Sequence, residues 1–191
     1  MRVLSVLGRP GAGKGTQVKY LQEKTGFVVI NTGQMLRERS RANDFLGRKL
    51  KEILEKGLLV PTPVVFSLWM PLLEKTREEG VAQGVIFDGN PRKFYEARML
   101  QEVFDMYGWQ DFRSCYIRIT EEEARERLLE RGRDDDTTEE IESRLTWFKT
   151  DVEPVLEHYR KQNLLIEVDG SRSITDVHNS IMEELKDFLS A

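Results

Sequence analysis

Residues Gly8-Arg9-Pro10-Gly11-Ala12-Gly13-Lys14-Gly15-Thr16 follow directly on the apolar run Val3-Leu4-Ser5-Val6-Leu7. A buried strand that runs into a glycine-rich turn and then a helix makes a phosphate cradle. The glycines let successive backbone N–H groups point inward, Lys14 adds a mobile positive charge, and the helix turns its positive end to the same place. The spacing Gly8-x4-Gly13-Lys14 is that of a P-loop, although Gly15 fills the usual Ser/Thr position and the hydroxyl comes one residue later, at Thr16. A turn that merely joined strand to helix would need no lysine there.

The rest of the chain is organised around that unit. Short β-rich runs near 2–7, 27–30, 84–88, 114–119 and 164–168 alternate with segments of helical periodicity near 14–25, 33–41, 43–56, 62–78, 93–107, 121–131, 138–150, 153–162 and 174–189. This alternation predicts an α/β fold, a parallel five-stranded sheet of the P-loop NTPase type with helices on both faces. Thr120 stands three residues before Glu123 and Thr137 three before Glu140, both capping-box spacings. Pro154 predicts a break or kink after Asp151. In such sheets ligands gather at the carboxyl ends of the strands, and the stretches after residues 7, 30 and 88 carry the chemistry.

A chain of 191 residues suits one compact domain. Its net charge of −4 arises from interleaved acidic and basic residues, so it offers no basic footprint for nucleic acid. No apolar run approaches the ~20 residues that span a bilayer. The first strand begins at Arg2, which leaves no room for a signal peptide, and the lone Cys115 reads as a buried strand thiol. A cytoplasmic location is the expectation.

Several further runs resemble one family in order. Asn31-Thr32-Gly33-Gln34-Met35-Leu36-Arg37 is similar to an S-T-G-D-M/L-L-R segment, and Gly57-Leu58-Leu59-Val60-Pro61 to G-x-L-V-P. Val85-Ile86-Phe87-Asp88-Gly89-Asn90-Pro91-Arg92 is similar to F-x-L-D-G-F-P-R. Arg127-Leu128-Leu129-Glu130-Arg131-Gly132 resembles R-L-L-x-R-G, and Arg133-Asp134-Asp135-Asp136 through Arg144 resembles R-x-D-D…R. These are the motifs of the adenylate kinase family of nucleoside monophosphate kinases, and with Val168-Asp169-Gly170 they span nearly the whole chain.

The resemblance implies reversible transfer of the γ-phosphoryl group from ATP–Mg²⁺ to a nucleoside monophosphate, with AMP leading (ATP + AMP = 2 ADP). It implies one domain over 1–191: a core of 1–30, 61–131 and 138–191, an acceptor-binding arm of about 31–60 and a short lid of about 132–137. So short a lid, with no cysteine, leaves no room for zinc. Phosphoryl transfer is catalysed chiefly by alignment and charge neutralisation, which a basic cluster around a P-loop supplies. By resemblance Lys14, Arg92, Arg131, Arg133, Arg144 and Asp88 form the catalytic set. The donor nucleotide falls to Gly11, Ala12, Gly13, Lys14, Gly15 and Thr16, with Arg127 stacking on its base. The acceptor falls to Thr32, Arg37, Val60, Gly89, Arg92 and Glu96. Thr16 and Asp88 attend Mg²⁺, largely through water; Asp88 as a plain helix cap is the other reading. ATP and a nucleoside monophosphate are the expected partners of a monomer, and both histidines, His158 and His178, read as helix-surface residues.

Three residues depart from the family pattern. Gln34 replaces an acid, Asn90 an aromatic, and Glu96 the Gln that in adenylate-specific members both donates to and accepts from adenine. An ionised Glu accepts only. It suits a base edge with adjacent donors, as in guanine, or a lone ring N–H, as in a pyrimidine; alternatively Glu96 lies on the helix surface or water repairs the mismatch. A kinase for another acceptor base, a kinase for a small non-nucleotide substrate and a catalytically impaired regulatory protein are therefore the competing functions.

Overall fold

The computed structural model describes residues 1–80, 83–132 and 137–190. Five parallel strands, β1 (Arg2–Gly8), β2 (Val28–Asn31), β3 (Gly84–Asp88), β4 (Asp111–Arg118) and β5 (Leu165–Asp169), pair in the order β2-β3-β1-β4-β5. The helices are α1 (Lys14–Thr25), α2 (Thr32–Ser40), α3 (Phe45–Glu55), α4 (Thr62–Glu79), α5 (Phe94–Tyr107) and α6 (Glu121–Arg131). They continue with α7 (Thr138–Trp147), α8 (Glu153–Lys161), α9 (Ile174–Glu184) and α10 (Lys186–Ser190).

The β1 run is buried on both faces, and its side chains divide with the period of two that a strand imposes. Val3 and Leu7 join Val85 and Phe87 in a core roofed by residues of α2, α4, α5 and α8. Leu4 and Val6 join Ile86, Cys115 and Ile117 in a second core under α1, α6, α7 and α9. The largest fully buried side chain, Trp69 of α4, packs edge-on against Phe87 at 5.3 Å and donates its Nε1–H to Thr32 at 2.9 Å, so its polar atom is satisfied. On the first face Ser5 is also fully buried, and its hydroxyl donates to the Asn90 carbonyl at 2.5 Å. The polar residue in the apolar strand thus fastens the loop after β3.

The expected strands and helices are present, with shifted ends. β2 runs to Asn31 and β4 starts at Asp111, because Asn31 pairs in register with Asp88 and Asp111 with Arg2. Both capping boxes form. The helix expected over 138–150 ends at Trp147 in a π-helical turn, Phe148–Val152, whose last bond runs from the Glu153 N–H to the Phe148 carbonyl. Pro154 then falls in the first turn of α8, where its missing N–H costs little. The helix expected over 174–189 is divided at Leu185 into α9 and α10.

The sheet order places the site. β1 lies between β3 and β4, so the loop that leaves β1 opens at the point where the strand order reverses. Register aligns Val6 with Asp88 and Asn31 with Asp88, and the Gly89 N–H donates to the Val6 carbonyl at 2.9 Å.

Candidate active site

The β1–α1 loop carries Lys14 as the first residue of α1. Gly11 and Gly13 are left-handed there, with φ of 84° and 82°, and a Cβ on Gly11 would stand 2.9 Å from the Ala124 carbonyl oxygen. Only glycine meets both demands at position 11. The Lys14 ammonium donates to the Gly8 and Arg9 carbonyls at 2.8 and 2.9 Å. Burial, above all, lowers its pKa to about 8, with Arg92 and Arg131 pushing the same way and Asp88 opposing. It is a cation held at a desolvation cost, the state that an incoming phosphate relieves.

Asp88 closes β3 and is only 9% exposed. Asn31, one strand away, donates its amide to Asp88 Oδ2 at 2.7 Å while its own Oδ1 caps α2 by accepting the Gln34 N–H at 2.8 Å. Asn31 stands at the N-cap of α2 and Lys93 at that of α5, so Asp88 caps neither helix; sequence reasoning missed Asn31, which stood in view within the Asn31-Thr32-Gly33 motif.

A cleft of about 720 Å³ opens over these strand ends. The P-loop lines it through Gly11, Gly13, Lys14, Gly15 and Thr16; Asp88, Gly89 and Arg92 come from the β3 end. Arg37 enters from α2, Arg127 and Arg131 from α6, and Arg144 from α7. Arg92 is fixed by its Nε–H to the Gly89 carbonyl at 2.8 Å and stacks over Trp147 at 5.4 Å. Its pKa is lowered by burial, Glu96 and Asp88 oppose that, and Arg144 and Arg37 reinforce it, so these arginines crowd one space. Arg127 is tied to the Gly170 carbonyl at 3.0 Å. Among the described residues that line the cleft, lysine and arginine side chains outnumber the one carboxylate, Asp88, an arrangement matched to an anion of several charges.

Thr32, Val60 and Glu96 line a separate small cavity beside the cleft, of about 10 Å³, which Arg92 and Leu36 share with the main wall. Glu96 is not a surface residue: it is 2% exposed. Its Oε2 accepts the Arg92 backbone N–H at 2.6 Å and the Asn90 amide at 3.4 Å, and its Oε1 accepts the Thr62 hydroxyl at 3.2 Å. Asn90, 1% exposed, therefore serves Glu96 instead of filling an aromatic's volume.

Other expected residues take other places. Ala12 is buried and absent from the cleft wall, its N–H given to the Arg9 carbonyl at 3.0 Å. Gln34 is exposed and bonds Glu38 at 2.8 Å. Gly33 lies inside α2, where a Cβ would come 3.2 Å from Arg37 Nη1, so the missing side chain makes room for that guanidinium. His158 and His178 are half-buried, set edge-on to Phe94 and Tyr20 at 5.0 and 5.3 Å, with no part in the cleft. Arg133 and most of the expected lid lie outside the described residues.

The residues fit a magnesium nucleotide. One carboxylate and one hydroxyl on the cleft wall, Asp88 and Thr16, suit an ion that keeps most of its waters. Among the described residues no cluster of three or more His, Cys, Asp or Glu could hold a metal by itself, and no helix is long and apolar enough to cross a membrane.

Comparison with known proteins agrees with this geometry. A family model described as Adenylate kinase matches residues 6–164. An adenylate kinase of Prochlorococcus marinus is 37% identical over 182 residues, covering 95% of this chain and 97% of its own. One from Nocardia farcinica is 35% identical over 186 residues, covering 97% and 99%. With a P-loop, a strand-end aspartate and a ring of arginines converging on one cleft, and with matches that run the length of the chain, this protein is a phosphotransferase that belongs to the adenylate kinase family of nucleoside monophosphate kinases.

Proposed function

We propose that the protein transfers the γ-phosphoryl group of ATP to AMP, forming two molecules of ADP. The observation that carries this reading is the single cleft in which Lys14 and Arg37, Arg92, Arg131 and Arg144 face one another around Asp88. The P-loop amides and Lys14 hold the donor phosphates, and Arg127 borders the donor base. Arg37 and Arg92 hold the acceptor phosphate, with its base toward Thr32, Val60 and Glu96. Arg131 and Arg144, joined by Arg133, neutralise the group in flight. No covalent intermediate is needed, because alignment and charge carry such reactions. Mg²⁺ brought by ATP, held by Asp88 and Thr16 chiefly through its waters, supplies further charge neutralisation on the phosphates.

The arm, about 31–60, and the lid, about 132–137, are the parts that close over the substrates and exclude water. In support, the arm already meets α7. The Gly57 carbonyl accepts Trp147 Nε1–H at 2.9 Å and the Ser143 hydroxyl at 3.4 Å, and Gly57, with φ of 62°, approaches so closely that a Cβ would come 2.9 Å from the Glu140 carbonyl oxygen. We place the enzyme in the cytoplasm as a monomer; the free, buried Cys115 suits a reducing compartment. The test is a panel of nucleoside monophosphates with ATP–Mg²⁺, read as diphosphate formed. AMP is expected to be the preferred acceptor, and no diphosphate from any member would overturn the assignment.

A further inference from the structure

Arg9 belongs to the P-loop run, yet it is absent from the cleft wall that Gly8 and Pro10 on either side help to form. Its guanidinium turns away from the substrates and is held on all sides. Nη1–H groups donate to the Tyr116 hydroxyl at 3.2 Å and the Ile119 carbonyl at 3.1 Å, and Nη2 to Glu153 Oε1 at 3.1 Å. The plane lies over the Phe148 ring, 4.9 Å from its centroid. Phe148 and Glu153 bracket the π-helical turn, an irregularity that recurs at functional sites. Immediately before that turn, α7 carries Arg144 and Trp147, and Trp147 backs Arg92.

The other end of Arg9 faces the chemistry. Its carbonyl receives the Lys14 ammonium at 2.9 Å and the Ala12 N–H at 3.0 Å. A glycine-rich loop has little stiffness of its own, so its shape must come from outside. A planar fork with three hydrogen bonds and a stacked ring fixes orientation as well as position, which a lysine's single ammonium does not.

We infer that Arg9 is a positioning residue for phosphoryl transfer, which ties the loop carrying Lys14 to the π turn behind Arg144 and Trp147 and so keeps the donor cradle in register with the arginines across the cleft. This rests on the proposed kinase reading and adds a residue to it. An isolated, half-exposed ion pair such as Arg9–Glu153 would contribute little by itself; the consequence lies in alignment, where a displacement of about 1 Å costs on the order of a hundredfold in rate.

The test compares full-length wild type with Arg9→Met, Arg9→Lys, Glu153→Gln and the Arg9→Met/Glu153→Gln double variant. For each, kcat and KM for both substrates are measured below the onset of thermal unfolding. Arg9→Met is expected to lower kcat by about 10- to 100-fold with KM values within about threefold, the pattern of lost alignment rather than lost affinity. Arg9→Lys should recover part of the loss, and the double variant should lose no more than Arg9→Met alone, since the two residues act through one contact. A kcat within twofold of wild type in Arg9→Met, a loss confined to KM, or losses that multiply in the double variant would overturn the inference. Should Arg9→Met not fold, Glu153→Gln decides: a two- to tenfold lower kcat supports the coupling and an unchanged kcat sinks it. Absence of turnover in the wild type would instead remove the kinase reading itself.

Discussion

Glu96 Oε2 accepts the backbone N–H of Arg92 at 2.6 Å, so the one residue that departs most from the adenine-specific pattern also anchors an arginine of the cleft. Replacement by Gln keeps this bond if the carbonyl faces Arg92 and the amide faces the Thr62 oxygen, whose single proton then turns to the Tyr95 hydroxyl 2.8 Å away. Glu96→Gln is therefore expected to fold normally and to raise kcat/KM for AMP relative to GMP about tenfold, because the new amide adds a donor for an adenine ring nitrogen. The acceptor panel measures this directly. An unchanged panel with unchanged turnover would confine Glu96 to holding Arg92.

Asp88 and its partner Asn31 carry the metal prediction. Asp88→Asn preserves shape and removes charge, so Mg²⁺-dependent turnover should fall at least about tenfold while metal-free ATP binding changes less than about threefold. Titrating the rate against Mg²⁺ checks it; an undiminished response would exclude Asp88 from the ion's surroundings.

Lys14 predicts a pH dependence of binding. Its pKa is lowered to about 8 in the free protein, so near pH 8 about half of the side chains are neutral. Bound phosphates favour the charged form and raise that pKa, so binding takes up protons and is strongest below pH 8, weakening as pH rises through 8 toward 9. Calorimetry of metal-free ATP at pH 8, in buffers of different ionisation enthalpy, should show net uptake of up to about half a proton. Lys14→Arg should abolish the uptake, and Lys14→Ala should lower turnover by orders of magnitude with the fold intact.

Cys115 should be inert. Burial pushes its thiol up to about 12 and leaves it 0% exposed, so at pH 8 the thiolate is on the order of one part in ten thousand. Aromatic disulfide reagents should label it rapidly in urea and only at the rate of unfolding in buffer. Fast labelling of the native protein would contradict its place in the core.

Each feature that lies within a few residues was legible without a structure. The P-loop, the strand runs and the boxes at Thr120 and Thr137 depend on alternation, glycine placement and bonds three or four residues apart. The ends of elements were less legible, because the partner decides them: Asn31 extends β2 only because Asp88 lies opposite. Pro154 predicts a break or kink and not the π turn before it, since the sequence shows the missing donor at Pro154 and not the ring of Phe148 that the turn presents to Arg9.

The sequence alone thus determined the class of fold and the phosphate cradle, because both are written in local periodicity and spacing, while resemblance to a known family marked the arginines that belong to its motifs. Tertiary structure alone decided that Glu96 is buried rather than exposed, that Asn31 serves Asp88 across 57 residues, that Arg9 turns away from the cleft toward Glu153, and that Gly57 meets α7. The physical reason is common to all four. A polar side chain's partner is set by which strands pair and which faces pack, and a buried donor or acceptor must find whatever group that packing brings within reach.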